Sequence, residues 1–362
     1  MKLRITMVVG LALFVGCATP AKNKNKEEAQ ARWEQMRAKV KFQLAERDFA
    51  AGQIESALKT CQEVIALHPA CLDAYLLLAR IQLERGQFAE AQAALDATEQ
   101  FGPTTPEAAY LRGMLAEARG PAREAMDWYR RAYEALPNEP DYLLAYVESM
   151  IAAGQTEAAA ELLVKRERDF DQDVRVQLLL GQCLSLLGKH REASDVYLGV
   201  LLLEPNDPML REEAVLVLLS AKRVTEAGRA IAPLLESPQA QPSVMLLQSW
   251  AQALLDTNDV AGAVRVLQEA TTRYPKAVKA QLLLSKALLM LDRAASAREA
   301  ARQACRLAPD SVDARLLLAY CCLAAGDREE ARTAAQQIIA ARPDDPEAKL
   351  ILERTLPSST VR

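Results

Sequence analysis

Residues 86–103 read GQFAEAQAALDATEQFGP, and residues 120–137 read GPAREAMDWYRRAYEALP. Each stretch opens on glycine, carries alanine five residues on and closes with proline twelve residues beyond that, although little else is shared. The same ruler runs outward in both directions. Gly52, Gly86, Gly120, Gly154 and Gly188 stand 34 residues apart, and Ala57, Ala91, Ala125, Ala159 and Ala193 follow in step. The alanines continue as Ala227, Ala263, Ala297 and Ala331, which makes nine repeats. Pro69, Pro103, Pro137, Pro205, Pro275, Pro309 and Pro343 close most of them, and Asp171 and Gln239 stand in the two remaining places.

Each marker has a physical reason. Glycine after a first helix lets the chain turn through a left-handed residue into a second helix without a Cβ clash. Later repeats place Asn258, Asp292 and Gly326 there, all tolerant of that conformation, whereas Lys222 is expected to be strained. The alanine marks the close crossing of the two helices, where a larger side chain would force them apart. Thr105-Pro106, Asp207-Pro208 and Asp345-Pro346 set a capping oxygen before a first-turn proline. Composition agrees, since the chain is 51% hydrophobic but only 5% aromatic and is dominated by strong helix formers. Runs such as Leu76, Leu77, Leu78, Ile81 and Leu83 give a hairpin more than one apolar face, so neighbours must stack to hide them.

A 34-residue helical unit with this punctuation resembles the tetratricopeptide repeat (TPR) family over about 310 positions. The family's small first-helix residue is matched by Ala45, Ala79, Gly113, Gly181, Ala251 and Ala319, and its second-helix aromatic by Tyr129 and Tyr197. The usual early aromatic of the first helix is kept only as Tyr75. The resemblance implies an all-α fold, an α-α superhelix or TPR solenoid of about nine helix-turn-helix repeats plus a C-terminal capping helix, Pro346 to Leu356. Residues 29–241 would hold repeats one to six and 242–356 repeats seven to nine with the cap. Between Ala227 and Ala263 the step lengthens to 36, which places a bend or hinge at residues 237–242.

Ahead of the repeats, Lys2 and Arg4 precede an apolar run from Ile5 to Val15. Eleven apolar residues are too few to span a bilayer as a helix, which takes about 20. Residues 1–16 therefore read as an export signal. Leu13-Phe14-Val15-Gly16-Cys17 resembles the lipobox of bacterial lipoproteins, with Phe14 in place of the usual Leu. That resemblance implies lipidation at Cys17, and Ala18 after it implies the outer membrane, with the chain facing the periplasm. Residues 17–28 follow as a flexible tether and 357–362 as a disordered tail. Loss of residues 1–16 would remove Lys2 and Arg4, shifting the balance from 44 basic against 48 acidic side chains to 42 against 48.

Nothing in the sequence assembles catalytic or cofactor chemistry. There is no phosphate-binding glycine loop, nucleophile elbow or paired-carboxylate constellation, and the two histidines, His68 and His190, fall at turns without metal-type spacing. The expectation is a protein that is not an enzyme and takes no cofactor or metal. The charges, -4 in all, are interleaved without a basic run to track a phosphate backbone, which argues against nucleic acid. Cys61, Cys71, Cys183, Cys305, Cys321 and Cys322 read mostly as free core thiols, with Cys305 to Cys321 or Cys322 the one pairing that neighbouring helices would permit.

By the same resemblance, first helices line an inner wall at fixed positions of each repeat. The implied peptide-binding groove comprises Arg80, Tyr110, Met114, Glu117, Leu144, Glu148, Gln182, Lys286 and Tyr320, with Leu83, Ile151, Leu178, Lys279, Met290, Leu316 and Leu323 beside them. Leu, Met and Tyr with sparse charge suit an extended or helical apolar peptide. The paired Asn and Lys of a carboxylate clamp are missing, because no expected first helix carries Asn. The function implied is a protein-interaction scaffold of an envelope assembly. Nine repeats come closer to the lipoproteins of exopolysaccharide or exosortase-type export than to six-repeat pilotins of the type IV pilus secretin, and three Trp argue against a direct glycan or peptidoglycan binder. If the lipobox reading holds, intact-mass measurement of the protein from an expressing cell will show a chain starting at an acylated Cys17. A Cys17→Ser chain will retain residues 1–16 or leave the membrane fraction.

Overall fold

The computed structural model describes residues 20–120, 122–237 and 239–356. The signal, Cys17 and the tail beyond residue 356 lie outside these. Among the described residues there are helices and no strands. The described chain divides into two compact units, one ending at Gln155 and one starting at Thr156. The first holds α1 (Pro20–Ala50), α2 (Ile54–Leu67), α3 (Leu72–Glu84), α4 (Phe88–Thr98), α5 (Pro106–Arg119), α6 (Ala122–Ala135) and α7 (Pro140–Ala152). The second opens with α8 (Thr156–Arg166) and continues through α9 (Val174–Leu186), α10 (His190–Leu203), α11 (Pro208–Ser220), α12 (Val224–Glu236), α13 (Val244–Asp256) and α14 (Val260–Arg273). It ends with α15 (Val278–Met290), α16 (Ala294–Leu307), α17 (Val312–Ala324), α18 (Arg328–Ala341) and α19 (Pro346–Thr355). The fold class is the one the 34-residue period implies, stacked antiparallel helix pairs.

The hairpin turns repeat one geometry. Lys222, Asn258 and Asp292 have φ of 58°, 65° and 56°, the same left-handed conformation that Gly52, Gly86, Gly154, Gly188 and Gly326 adopt. Lys222 donates its N–H to Leu219 O at 3.0 Å, and Arg223 reaches back to Leu218 O at 2.9 Å, just as Gly86 and Gln87 bond to Leu83 and Gln82. The turn's own hydrogen bonds hold lysine in a backbone that its Cβ opposes. The three expected caps also form: Thr105 accepts from Ala108 N, Asp207 from Met209 N and Leu210 N, and Asp345 from Ala348 N.

Inside several pairs the core matches a small first-helix residue to a larger one 16 residues on. Ala45 shares a cluster with Cys61 and Ala79 with Leu95, all fully buried. Where the first helix carries only glycine, the second carries tyrosine. A methyl placed on Gly113 would lie 2.5 Å from the Tyr129 ring, and one on Gly181 would lie 2.7 Å from Tyr197. Ala251 with Leu267 continues the series within the second unit, whereas Val215 with Ile231 and Ala319 with Ala335 pair residues of similar size. Ser285, opposite Ala301, is fully buried and donates its hydroxyl to Ala297 O at 2.8 Å.

One expectation needs adjustment. Helix α1 already begins at Pro20, so most of the stretch expected as a flexible tether is helical; Ala, Lys and Glu there favour helix once α2 anchors its far end. In the segment where a bend was placed, Ala240 O accepts from Arg273 and Pro242 O from Tyr274. His68 and His190 are half-buried at helix ends, next to the turns where the sequence places them. The capping helix is present as α19, with Ala348 and Ile351 buried against Ala335 and Ile338, although Leu350 on the same helix stays exposed.

Two substitutions probe this framework. Gly181→Ala forces a methyl against a buried ring and is expected to cost about 1–3 kcal/mol in chemical denaturation. Lys222→Gly relieves the left-handed lysine and is expected to gain about 0.5–1 kcal/mol by the same measurement.

Candidate functional site

First helices α3, α5 and α7 place six of the sequence-predicted groove residues in the first compact unit: Arg80, Tyr110, Met114, Glu117, Leu144 and Glu148. Their 34-residue register explains the shared face, since Arg80, Met114 and Glu148 are successive copies of one position. Arg80 Nη2 donates to Glu107 Oε1 at 2.9 Å, a half-exposed pair that bridges α3 and α5. Tyr110 stands half-buried between two other rings, 5.2 Å from Tyr142 on α7 and 5.7 Å from Tyr129 on α6. Both spacings are those of favourable tilted aromatic contacts.

Tyr129 connects this wall to the core. Its ring fills the space left by Gly113, and its hydroxyl donates to Glu117 Oε2 at 2.7 Å. Burial, then that bond to a carboxylate, pushes the Tyr129 phenol far above its ordinary range, so the hydroxyl is a fixed donor. Glu117 is thereby held in place and its charge faces Glu148. The Glu148 carboxyl is raised from its ordinary value by burial, and next by the Glu117 charge. Among the described residues no lysine or arginine forms an ion pair with Glu117 or Glu148. The wall therefore combines two tyrosine faces with a carboxylate pair that lacks a counter-ion. It can accept a cationic side chain flanked by apolar ones.

Met114 packs half-buried beside Tyr110, and Leu144 is half-buried on α7. The other groove candidates belong to the second unit, where Gln182 and Tyr320 have partners of their own. Gln182 donates to Glu213 at 3.4 Å, Lys286 is exposed on α15, and the Tyr320 hydroxyl donates to Glu347 at 3.1 Å. Sequence reasoning missed Tyr142 and Glu107. Glu107 occupies the same register position as Lys279, eighteen residues before the marker alanine, so the period could have found it, whereas Tyr142 lies off the wall positions and only the packing of α5 on its neighbours reveals it.

The described cysteines are all free; Cys61, Cys183, Cys321 and Cys322 are buried. Cys321 Sγ lies 3.1 Å from Ser285 Oγ, and no disulfide joins it to Cys305. Burial pushes the Cys61 thiol up to about 12, which leaves it protonated and unreactive. Among the described residues no three His, Cys, Asp or Glu side chains gather as a metal site, and no helix is long and apolar enough to cross a membrane.

Family comparisons place the repeats independently. Tetratricopeptide repeat profiles match residues 48–115, 249–312 and 292–354, and a profile described as anaphase-promoting complex, cyclosome, subunit 3 matches residues 119–200. No curated relative matches. Similar solved structures include a tetratricopeptide repeat protein from Parabacteroides merdae at 14% identity, covering 70% of this chain and 99% of that one with a TM-score of 0.45. PilW, a type IV pilus biogenesis factor, is 13% identical over 59% of this chain and 97% of its own, with a TM-score of 0.44. YrrB, a TPR protein with an unusual peptide-binding site, is 14% identical over 62% and 97%, with a TM-score of 0.37.

The carboxylate pair makes a pH signature. A carboxyl raised by folding favours the fold when protonated; that stabilisation is full below its unfolded value and is lost as pH climbs through the folded value. Carboxyl-detected NMR is expected to find Glu148 titrating above 4.5 and moving down in Glu117→Gln. Glu148→Gln is expected to be more stable than the parent at pH 7, with the gap closing in acid.

Proposed function

This chain belongs to the tetratricopeptide repeat family, and we propose that it is a lipid-anchored scaffold that holds a protein partner of a cell-envelope assembly on the first-helix wall of its first compact unit. Proteins of this family bind protein partners, generally without catalysis. The observation that carries the assignment is the pairing of Tyr110 and Tyr142 with the uncompensated Glu117 and Glu148. Two neighbouring carboxylates on an exposed wall gain nothing in stability from each other without a cation. A partner lysine or arginine supplies that cation, and the tyrosine faces take the apolar residues around it.

Localisation follows from residues 1–18 alone in this reading. The signal and lipobox resemblance put the acylated Cys17 in the outer membrane and the repeats in the periplasm, where an elongated wall suits the protein machinery of export. The nine-repeat length supports exopolysaccharide or exosortase-type export as the pathway.

Affinity capture from detergent-solubilised envelopes tests the wall. Wild-type protein is expected to retain a partner that Tyr110→Ala with Glu148→Lys loses by at least tenfold, and raising salt should weaken the wild-type complex. An unchanged set of captured proteins would remove the assignment.

A further inference from the structure

Helix α1 is 31 residues long, more than twice the 14 residues of the α2 against which it packs. One face is fully accounted for. Ala38 and Ala45 are buried with Phe42 and Phe49 in the first core cluster, Lys41 pairs with Glu63, and Asp48 accepts from Ser56. The opposite face carries Trp33, Met36, Val40 and Leu44, which are 57%, 64%, 67% and 38% exposed. At 100° per residue these four fall within an arc of about 80°, a continuous apolar stripe about 16 Å long. Scattered exposed apolar residues need no explanation, but an aligned set with tryptophan at one end does.

The charges around the stripe select its occupant. Lys26, Arg37 and Arg47 lie within about 60° of its centre, by the same helical geometry, and all three are exposed. The carboxylates of Glu27, Glu28, Glu34 and Glu46 lie more than about 110° away. A second copy of the chain would bring these cations against one another, and a protein helix docking there would need to be acidic along both of its edges. A bilayer with anionic headgroups meets every feature at once: apolar side chains enter the acyl boundary, tryptophan sits at the interface, and flanking basic side chains reach phosphate. The chain enters α1 at Pro20, a few residues after the apolar run Ile5–Val15 and Cys17, so this end of the molecule is the one delivered to lipid.

We infer that the outer face of α1 lies flat on an anionic lipid surface, with Trp33, Met36, Val40 and Leu44 inserted at the acyl boundary and Lys26, Arg37 and Arg47 on the headgroups. The inference rests on the reading that residues 1–17 bring the chain to a membrane. It adds a second attachment, which fixes how the first repeat stands on the bilayer instead of leaving it on a swinging tether.

The test uses the full acylated protein reconstituted into phosphatidylethanolamine/phosphatidylglycerol vesicles whose lipids are brominated near the glycerol end of the chains. Trp33 is more exposed than Trp128 or Trp250, and its contribution is isolated by subtracting a Trp33→Phe protein. Bromolipid is expected to quench Trp33 emission at least twofold, and Met36→Glu with Val40→Glu should abolish the quenching while the protein still sediments with vesicles. Sedimentation without Trp33 quenching in the wild type would overturn the inference and leave the anchor standing. Failure to sediment at all would overturn both. Trp33 already shielded in a concentration-dependent dimer before vesicles are added would overturn it in favour of self-association.

Discussion

The structure depends on one steric constraint, that the two helices of a repeat meet at a single crossing point whose volume must be filled once. At that point the first helix contributes residue i and the second contributes residue i+16, and neither is free to change size alone. Glycine admits tyrosine at Gly113 and Tyr129 and at Gly181 and Tyr197, and alanine admits leucine at Ala79 and Leu95. Close-packed interiors tolerate neither a void nor an overlap of a methyl group without cost. Because each hairpin then buries its remaining faces on the next, an error at one crossing is transmitted to its neighbours.

The same constraint produces the candidate site. Tyr129 is chosen by the space above Gly113, yet its hydroxyl emerges beside Glu117 and fixes that carboxylate near Glu148. Tyr110 then rests against Tyr129 and Tyr142, so a ring buried for packing supports a ring presented for contact. Core and wall are in this way successive layers of one cluster. The second unit has an analogous arrangement with a different outcome. Tyr197, seated over Gly181, donates to Glu213, to which Gln182 also donates, so the polar capacity there is spent internally.

The features legible in the sequence were those imposed on every repeat. The glycine ruler located the left-handed turns, including Lys222, where the residue type argued against the conformation and the period argued for it; the period won because the hairpin needs that turn. Caps before Pro106, Pro208 and Pro346 and the final helix were equally accessible, since each depends on neighbours in the chain. Wall residues such as Arg80, Tyr110 and Glu148 could be placed on a face by register. Their pairings could not: Arg80 meets Glu107 and Tyr110 meets Tyr142 across helices, by long side chains whose choice depends on packing angle and rotamer. An extension of the first helix over Glu27 to Met36 was legible in the charges around Trp33, but its start at Pro20 was not, because that stretch lies outside the repeat and no period applies to it.

The most direct measurement is a double-mutant cycle at one crossing. Transplanting the pair found at Ala79 and Leu95 into the next repeat gives Gly113→Ala and Tyr129→Leu, measured singly and together by denaturant unfolding. Compensating volumes predict that the double variant is more stable than the sum of the single losses allows, by a coupling of about 1–2 kcal/mol. Additive losses would contradict the account, for the two residues would then not be filling a common space.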